Sequence, residues 1–333
     1  MMKLDSAIIK ALSLDPAKTT VASHGGSGFT TTAKISTALK DGTEKYFFMK
    51  TGSGKDADVM FKGEHASLNA IHRSVPSLCP ESFADGPLED SPGGAFLVTD
   101  FLDMGGRARG SPSESGSGMS FAAKLAKLHT TPAPIPEGYS KPVFGFSVPT
   151  CCGDTEQPND FTESWADFYA NRRLLAILKK SERTNGRDAS LRSLVEKTAA
   201  ETVPRLIGDG HLNGGKGVVP VTVHGDLWSG NHGRGRIGGR GGVEEVVFDP
   251  SACYAHSEYE LGIMQMFGGF GSLKEYHDLC PKTEPTNEYK DRVKLYECVY
   301  FLLDASPCQS NHGPKRGPTR DNSTAIPHAS YFF

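Results

Sequence analysis

The chain has 333 residues, 37% hydrophobic and 23% charged, with a formal net charge of −3. That length allows two domains or one fold with two lobes, and the slightly acidic balance gives no reason to expect a nucleic acid as partner. Seven cysteines, an odd number with no C-x-x-C pair, argue against a disulfide framework and a structural zinc and fit a reduced, cytoplasmic chain.

The opening stretch MMKLDSAIIKALSLDP carries Asp5 where a signal peptide would be apolar. It reads instead as a short amphipathic helix with Ile8, Ile9, Leu12 and Leu14, stopped before Pro16. No apolar run is long enough to span a bilayer, so no membrane partner is expected. The Gly25-Gly26-Ser27-Gly28 turn leads into a Thr-rich strand, Asp41-Gly42 marks a second turn, and KYFFMK (45–50) forms the other half of an antiparallel hairpin. Residues 56–73 read as a helix with Phe61, His65, Leu68 and Ala70/Ile71 near one face. Residues 74–94 are rich in Pro, Gly and Asp, and AFLVTDFLDM (95–104) is an apolar strand running into a turn. The Gly/Ser/Arg stretch at 105–118 reads as an exposed connection between lobes. Helical patterns follow at 119–130, 161–180 and 188–207, around a long proline-containing connection at 131–160, and again at 256–267 and 287–304. The expected organisation is α+β. A small antiparallel-sheet lobe ends at residue 104, a larger and mostly helical lobe covers 105–303, and residues 304–333 lose all periodicity and read as a disordered tail.

The chemistry concentrates in VTVHGDLWSGN (221–231) and EEVVFDP (244–250). Magnesium takes oxygen ligands and shares them with substrate phosphates. Phosphoryl transfer needs that metal positioned, a nucleophile positioned, and little else. Asp226 fits the base that accepts a hydroxyl proton, and Asn231 and Asp249 fit the metal ligands. The His224 of H-x-D reads as a packing residue. Lys50, ending its strand, is placed to reach the α- and β-phosphates of a nucleotide, and Glu64 on the next helix to orient it. Backbone N–H groups of the glycine turn, at Gly26 and Gly28, suit phosphates. Backbone groups at Asp100, Phe101 and Leu102 suit adenine. A nucleotide and Mg²⁺ are the implied cofactors. Two apparent motifs fail. TGSGKD lacks the P-loop's first glycine and last hydroxyl, and GRGRIG (233–238) has no helix after it and reads as part of a long hairpin turn.

With these residues assembled, the chain resembles the fructosamine-3-kinase/ketosamine-3-kinase family of the protein-kinase-like superfamily, which includes aminoglycoside phosphotransferases and choline kinases. The matching pieces are HGDLWSGN, VVFDPSACYAHSEYELGIMQMFGGF, FKGEHASLNAI, AFLVTDFLDM and WADFYANRRL, in the family's order across most of residues 20–303. The resemblance implies a bilobal kinase-like fold and ATP-dependent phosphorylation of the 3-hydroxyl of ketosamines, on free amines or glycated protein lysines, leading to deglycation. It implies an aromatic face for the sugar-amine at Trp228. Three departures stand out: residues 20–35 hold no cysteine, GRGRIGGRGG lengthens a usually compact turn, and the packed C-terminus is replaced by polar sequence. A small-molecule kinase of the aminoglycoside or choline type and a catalytically dead kinase-like binding module remain as alternatives. Oligomeric state is not legible.

Overall fold

The computed structural model describes residues 3–27, 30–39, 41–104, 117–267, 270–271 and 273–304. Gly28, most of the 105–118 connection and the tail from residue 305 lie outside the described residues.

The first lobe is a five-stranded sheet of β1 (Thr19–Ser27), β2 (Thr30–Ala38), β3 (Glu44–Ser53), β4 (Ser82–Pro87) and β5 (Gly94–Asp100), in the order β1-β2-β3-β5-β4, antiparallel throughout. Period-2 alternation puts Ala33 and Ile35 opposite Met49 and Phe47. Together with Phe96 and Val98 they pack on Leu4, just before the first helix, and on Ile8 of α1 (Ser6–Leu12). The other sheet face receives α2 (Lys55–Ser74), through Phe61 against Ala95 and Leu97. Covered on both sides, β5 is buried continuously from Ala95 to Thr99, which explains its unbroken apolar run.

Along α2 the buried residues Ala57, Phe61, Glu64, Leu68 and Ile71 recur at helical spacing. Glu64 is the charged member of that stripe. A carboxylate holds such a place only with a partner, because an unpaired buried charge is costly.

Two strands of the first lobe were hidden from sequence reasoning. β1 continues through Gly25 and Gly26 where a turn was expected, with an irregular register between Ser23 and Gly26. β4 lies inside the Pro/Gly/Asp-rich 74–94 interval, paired by its backbone with β5.

The larger lobe begins, after β6 (Leu102–Asp103), with α3 (Phe121–Thr130), and the expected connection at 131–160 contains a small hairpin, β7 (Thr150–Cys152) and β8 (Thr155–Gln157). The 161–180 helix starts later, at α4 (Trp165–Phe168). It passes through a π-helical turn, Tyr169–Leu174, into α5 (Leu175–Asn185). α6 (Ala189–Lys197), a second π turn (Thr198–Thr202) and α7 (Val203–Ile207) make one run. Then come β9 (Val221–Val223), β10 (His232–Ile237), β11 (Glu244–Val247), β12 (Cys253–Ala255), α8 (Tyr259–Phe267), α9 (Lys274–Leu279) and α10 (Tyr289–Asp304).

The glycine-arginine stretch is a hairpin whose first half is regular strand. β10 pairs with β11 and, through Arg236 and Ile237, with Asp103 and Leu102 of β6. Gly233 and Gly235 permit this approach: a Cβ at Gly233 would stand 2.3 Å from the Met104 side chain, and one at Gly235 3.0 Å from the Asp103 carbonyl oxygen. The lengthened turn therefore ties the larger lobe to the segment that joins the lobes.

The larger lobe's core is aromatic, with Trp165, Tyr169, Tyr259 and Tyr296 fully buried together. His256 is buried at its edge, its nitrogens 2.8 Å from the Tyr296 hydroxyl and 2.7 Å from the Thr283 hydroxyl. Burial pushes its pKa down to about 4, against the attraction of Glu258. The unfolded chain takes up a proton near pH 6.5 that folded His256 refuses. Its contribution to stability is therefore present above pH 6.5 and lost as pH falls toward 4, by up to roughly 3 kcal/mol. Denaturant titrations across this window should show a steep loss of stability in the parent and a shallower one in His256→Gln. Equal slopes would show that another group dominates acid unfolding.

Candidate active site

β9 delivers the backbone to His224, and the loop that follows is fixed from several directions. Gly225 has φ +79°, and a Cβ there would stand 2.1 Å from the Ser251 carbonyl oxygen, so only glycine fits between His224 and Asp226. The fully buried Glu260 carboxylate of α8 accepts the N–H groups of His224 and Gly225, the latter at 3.0 Å. Tyr300 of α10 donates its hydroxyl to the Gly225 carbonyl at 3.1 Å. The Ser251 N–H bonds the His224 carbonyl at 2.9 Å. His224 itself is buried and held neutral by that burial. Its Nδ1 accepts from the Asp226 N–H at 3.3 Å, and its Nε2 donates to the Phe248 carbonyl at 3.0 Å. It organises the loop from behind.

Asn231 ties the loop's end to its start. Its Nδ2 donates to the Asp226 carbonyl oxygen at 2.9 Å and to the Asp226 carboxylate at 3.1 Å. Among the described residues no donor reaches Asn231 Oδ1. Asp249 follows β11 with φ +55°, a left-handed conformation rare for a residue with a side chain. From the first lobe, Lys50 Nζ stands 2.8 and 2.9 Å from the two Glu64 oxygens and 2.6 Å from Asp249 Oδ1. Lys50 and Glu64 are almost covered, at 14% and 10% exposure, whereas Asp249 is 52% exposed. Burial works against the Lys50 ammonium, but Asp249 and Glu64 outweigh it and hold its pKa above the usual lysine value. For Asp249 burial is likewise outweighed, here by Lys50, and its carboxyl stays below the usual range.

Asp226 has no such cation. Burial pushes it up to about 7, the Asp249 charge adds to this, and the Cys152 thiol and Asn231 amide pull it back. Two carboxylates and an open amide oxygen thus face one region. That donor set of hard oxygens fits Mg²⁺ shared with phosphates. It does not make an all-protein cage: among the described residues no group of three His, Cys, Asp or Glu side chains gathers to hold a metal.

These groups line one cavity of about 680 Å³ between the lobes, within the usual range for small-molecule sites. Lys50, Glu64, Asp100 and Leu102 line it from the first lobe and the joining segment, and Asp226, Trp228, Asn231 and Asp249 from the larger lobe. Phe101 lies elsewhere. It lines a smaller pocket with His24, Lys34 and Tyr46, and its N–H is already taken by the Tyr46 carbonyl at 3.3 Å. The Asp100 N–H is also taken, by the Glu81 carbonyl at 2.9 Å. Gly26 sits in β1 opposite Thr31, and Gly28 is outside the described residues. Trp228 folds over Gly230, where a Cβ would come within 2.2 Å of its ring, and meets Phe267 at a centroid distance of 5.7 Å.

The sequence pattern of the fructosamine kinases matches residues 4–311, nearly the whole chain. The chain belongs to the fructosamine kinase family. Mouse ketosamine-3-kinase is 32% identical over 275 residues, covering 77% of this chain and 80% of the mouse protein. A chloroplastic protein-ribulosamine 3-kinase of Oryza sativa subsp. japonica is 32% identical over 253 residues, or 75% of this chain and 65% of the rice protein. Among solved structures, a Thermobifida fusca protein with a provisional fructosamine-3-kinase designation superposes with a TM-score of 0.65. It is 23% identical and covers 92% of this chain and 93% of that one, and this likeness bears on the fold alone. The fold is kinase-like and α+β. No helix among the described residues is long and apolar enough to cross a membrane.

Three residues of the family member's site escaped sequence reasoning. Glu260 and Tyr300 hold the Gly225 peptide from both sides. A signal for Glu260 exists in retrospect, since Glu258 and Glu260 both interrupt the apolar stretch around Tyr259–Met264. Glu258 pairs with buried Arg292 at 2.7 Å, which leaves Glu260 to the loop. Cys152, beside Asp226, sits on a hairpin that polar, proline-containing sequence concealed.

Proposed function

We propose that this chain transfers the γ-phosphoryl group of ATP to the 3-hydroxyl of ketosamines, ribulosamine or fructosamine adducts of amines or protein lysines. The phosphorylated product decomposes and frees the amine, so the activity amounts to deglycation. The observation that carries the reading is the convergence of Lys50, Glu64 and Asp249 across the lobes upon the Asp226–Asn231 loop, with Trp228 in the same cleft. The mouse and rice relatives, by name a ketosamine-3-kinase and a protein-ribulosamine 3-kinase, support that substrate class over aminoglycosides or choline.

In this reading Asp226 accepts the hydroxyl proton as the hydroxyl oxygen bonds the γ-phosphorus of ATP and the bond from that phosphorus to the bridging oxygen breaks, releasing ADP. Lys50, oriented by Glu64, binds the α- and β-phosphates. Asn231 and Asp249 would hold magnesium, which would supply positive charge to the phosphates. Asp100 and Leu102 flank adenine, and Trp228 offers its face to the sugar-amine. The intact ion pair and loop speak against a binding module without catalysis.

ATP consumption against a panel of ketosamines, aminoglycosides and choline tests the reading, with turnover expected on ketosamines. Asp249→Ala should abolish magnesium-dependent turnover while leaving folding nearly intact, because the half-exposed carboxylate leaves the Lys50–Glu64 pair in place. Near-normal activity of this variant across magnesium concentrations would remove Asp249 from the metal site.

A further inference from the structure

The cleft lining carries one carboxylate that phosphoryl transfer leaves unused. β7 and β8 close a tight hairpin, with Cys152 opposite Thr155, and its two-residue turn is Gly153-Asp154. Gly153 has φ +59°, which lets the chain reverse there. Asp154 is half-buried and lines the same cavity as Asp226 and Trp228. The other carboxylates of the lining are engaged: Glu64 and Asp249 with Lys50, Asp226 with Asn231, and Asp100 with the Glu81 N–H at 3.3 Å. Asp154 accepts only the Thr155 hydroxyl, at 3.3 Å, and forms no ion pair among the described residues.

Position gives this free carboxylate its meaning. Cys152, two residues before it, acts directly on Asp226, so the turn stands on the side of the cleft where the substrate hydroxyl is deprotonated. Trp228 and half-exposed Phe267 add aromatic surface to the same cavity. A carboxylate near aromatic rings suits an alkylammonium ion, which gains from charge pairing and from the face of a tryptophan. In a ketosamine the nitrogen is attached to C1 and the reacting hydroxyl to C3, so the two are held close together. The nitrogen also lies one carbon from a carbonyl, as in an α-amino group, and titrates near pH ~8.

We infer that Asp154 binds the protonated amine of the substrate beside Trp228, and so selects cationic ketosamines over neutral sugar derivatives. The inference rests on the ketosamine reading above. The charged groups around the turn are Glu156 on β8, Asp56 on α2 and Lys180 on α5, all acting on adjoining Cys151. Burial pushes the cleft carboxyls Asp226 and Glu64 up only to about 7 and the Cys151 thiol up to about 12, so between them the substrate amine is the group that titrates near pH ~8.

The test compares steady-state kinetics of the parent, Asp154→Asn and Asp154→Glu on a ribulosamine or fructosamine of a simple alkylamine, and on its N-acetylated, uncharged counterpart. Asp154→Asn should raise KM for the amine substrate ~10–100-fold. Its kcat should change little and its KM for ATP not at all, and Asp154→Glu should recover part of the loss. In the parent, KM should climb above pH ~8 as the amine loses its proton, and this climb should vanish in Asp154→Asn. The parent should also prefer the charged substrate, and the variant should discriminate less. An active parent whose Asp154→Asn variant keeps the same KM, pH dependence and preference overturns this inference alone. A parent inactive on every ketosamine overturns the functional reading, and this inference with it.

Discussion

Asp226→Asn is expected to lower turnover ~10²–10⁴-fold while making the ligand-free protein more stable. The amide keeps the size of the carboxylate but cannot accept the hydroxyl proton. Phosphoryl transfer depends mainly on positioning and electrostatics, which places the loss toward the smaller end. The stability gain follows from the raised pKa. In the unfolded chain the carboxyl ionises near pH ~4, whereas burial first, and the Asp249 charge after it, delay ionisation to about 7 in the fold. Between these values the folded protein retains a proton that the unfolded chain releases, so stability falls as pH rises through this window. The cost is complete above pH 7. With partial exposure discounted, it amounts to roughly 1–3 kcal/mol. The variant should therefore melt higher than the parent at pH 8 and nearly level with it at pH 4, with ATP affinity retained. A variant with full turnover would exclude Asp226 as the base, and one that melts lower at pH 8 would exclude the buried-charge account.

The second large effect is expected at Gly225→Ala: a loss of roughly 3–5 kcal/mol of stability, and no measurable turnover. A methyl group at φ +79° is strained in itself, and the Ser251 carbonyl 2.1 Å away is backbone that cannot swing aside. The loop would have to break its bonds to Glu260 and Tyr300 or push β12 away from β9. Gly230→Ala makes an instructive contrast, because the nearest atoms there belong to the Trp228 ring, a side chain free to rotate. Its stability should drop less, with the damage appearing in ketosamine KM. Chemical denaturation and kinetics of both variants separate the two, and a Gly225→Ala protein of parental stability and activity would contradict the geometry.

The Asp226 loop was legible as a candidate site because its pattern is local: the spacing from His224 to Asn231 is read along the chain, and Asp249 ends a readable strand. Lys50 and Glu64 were legible from element order, and the structure brings their side chains together. Residues hidden from the sequence owe their position to distant partners. β4 looks like a loop because its Gly and Pro residues carry little strand propensity, and backbone pairing to β5 overrides that. Phe101 followed its neighbours in sequence, but alternation across the joining segment sends its side chain to the opposite side, against Lys34, 4.3 Å from the ring centroid. Glu260 and Asp154 reach the cleft region only once helix and hairpin are packed, which no spacing rule foretells.

Tyr300 gives the site a history as well as a shape. Its hydroxyl bonds the Gly225 carbonyl from 75 residues further along the chain. During synthesis, the segment carrying Asp226 leaves the ribosome well before the helix that secures it. The sheet of the first lobe, paired among residues 19–100, has its partners from the start. The first lobe is thus free to mature early, while the Asp226 loop waits for the last of the described helices. A nascent chain halted before residue 300 would carry every proposed catalytic side chain and still lack one of the bonds that fix the Asp226 loop.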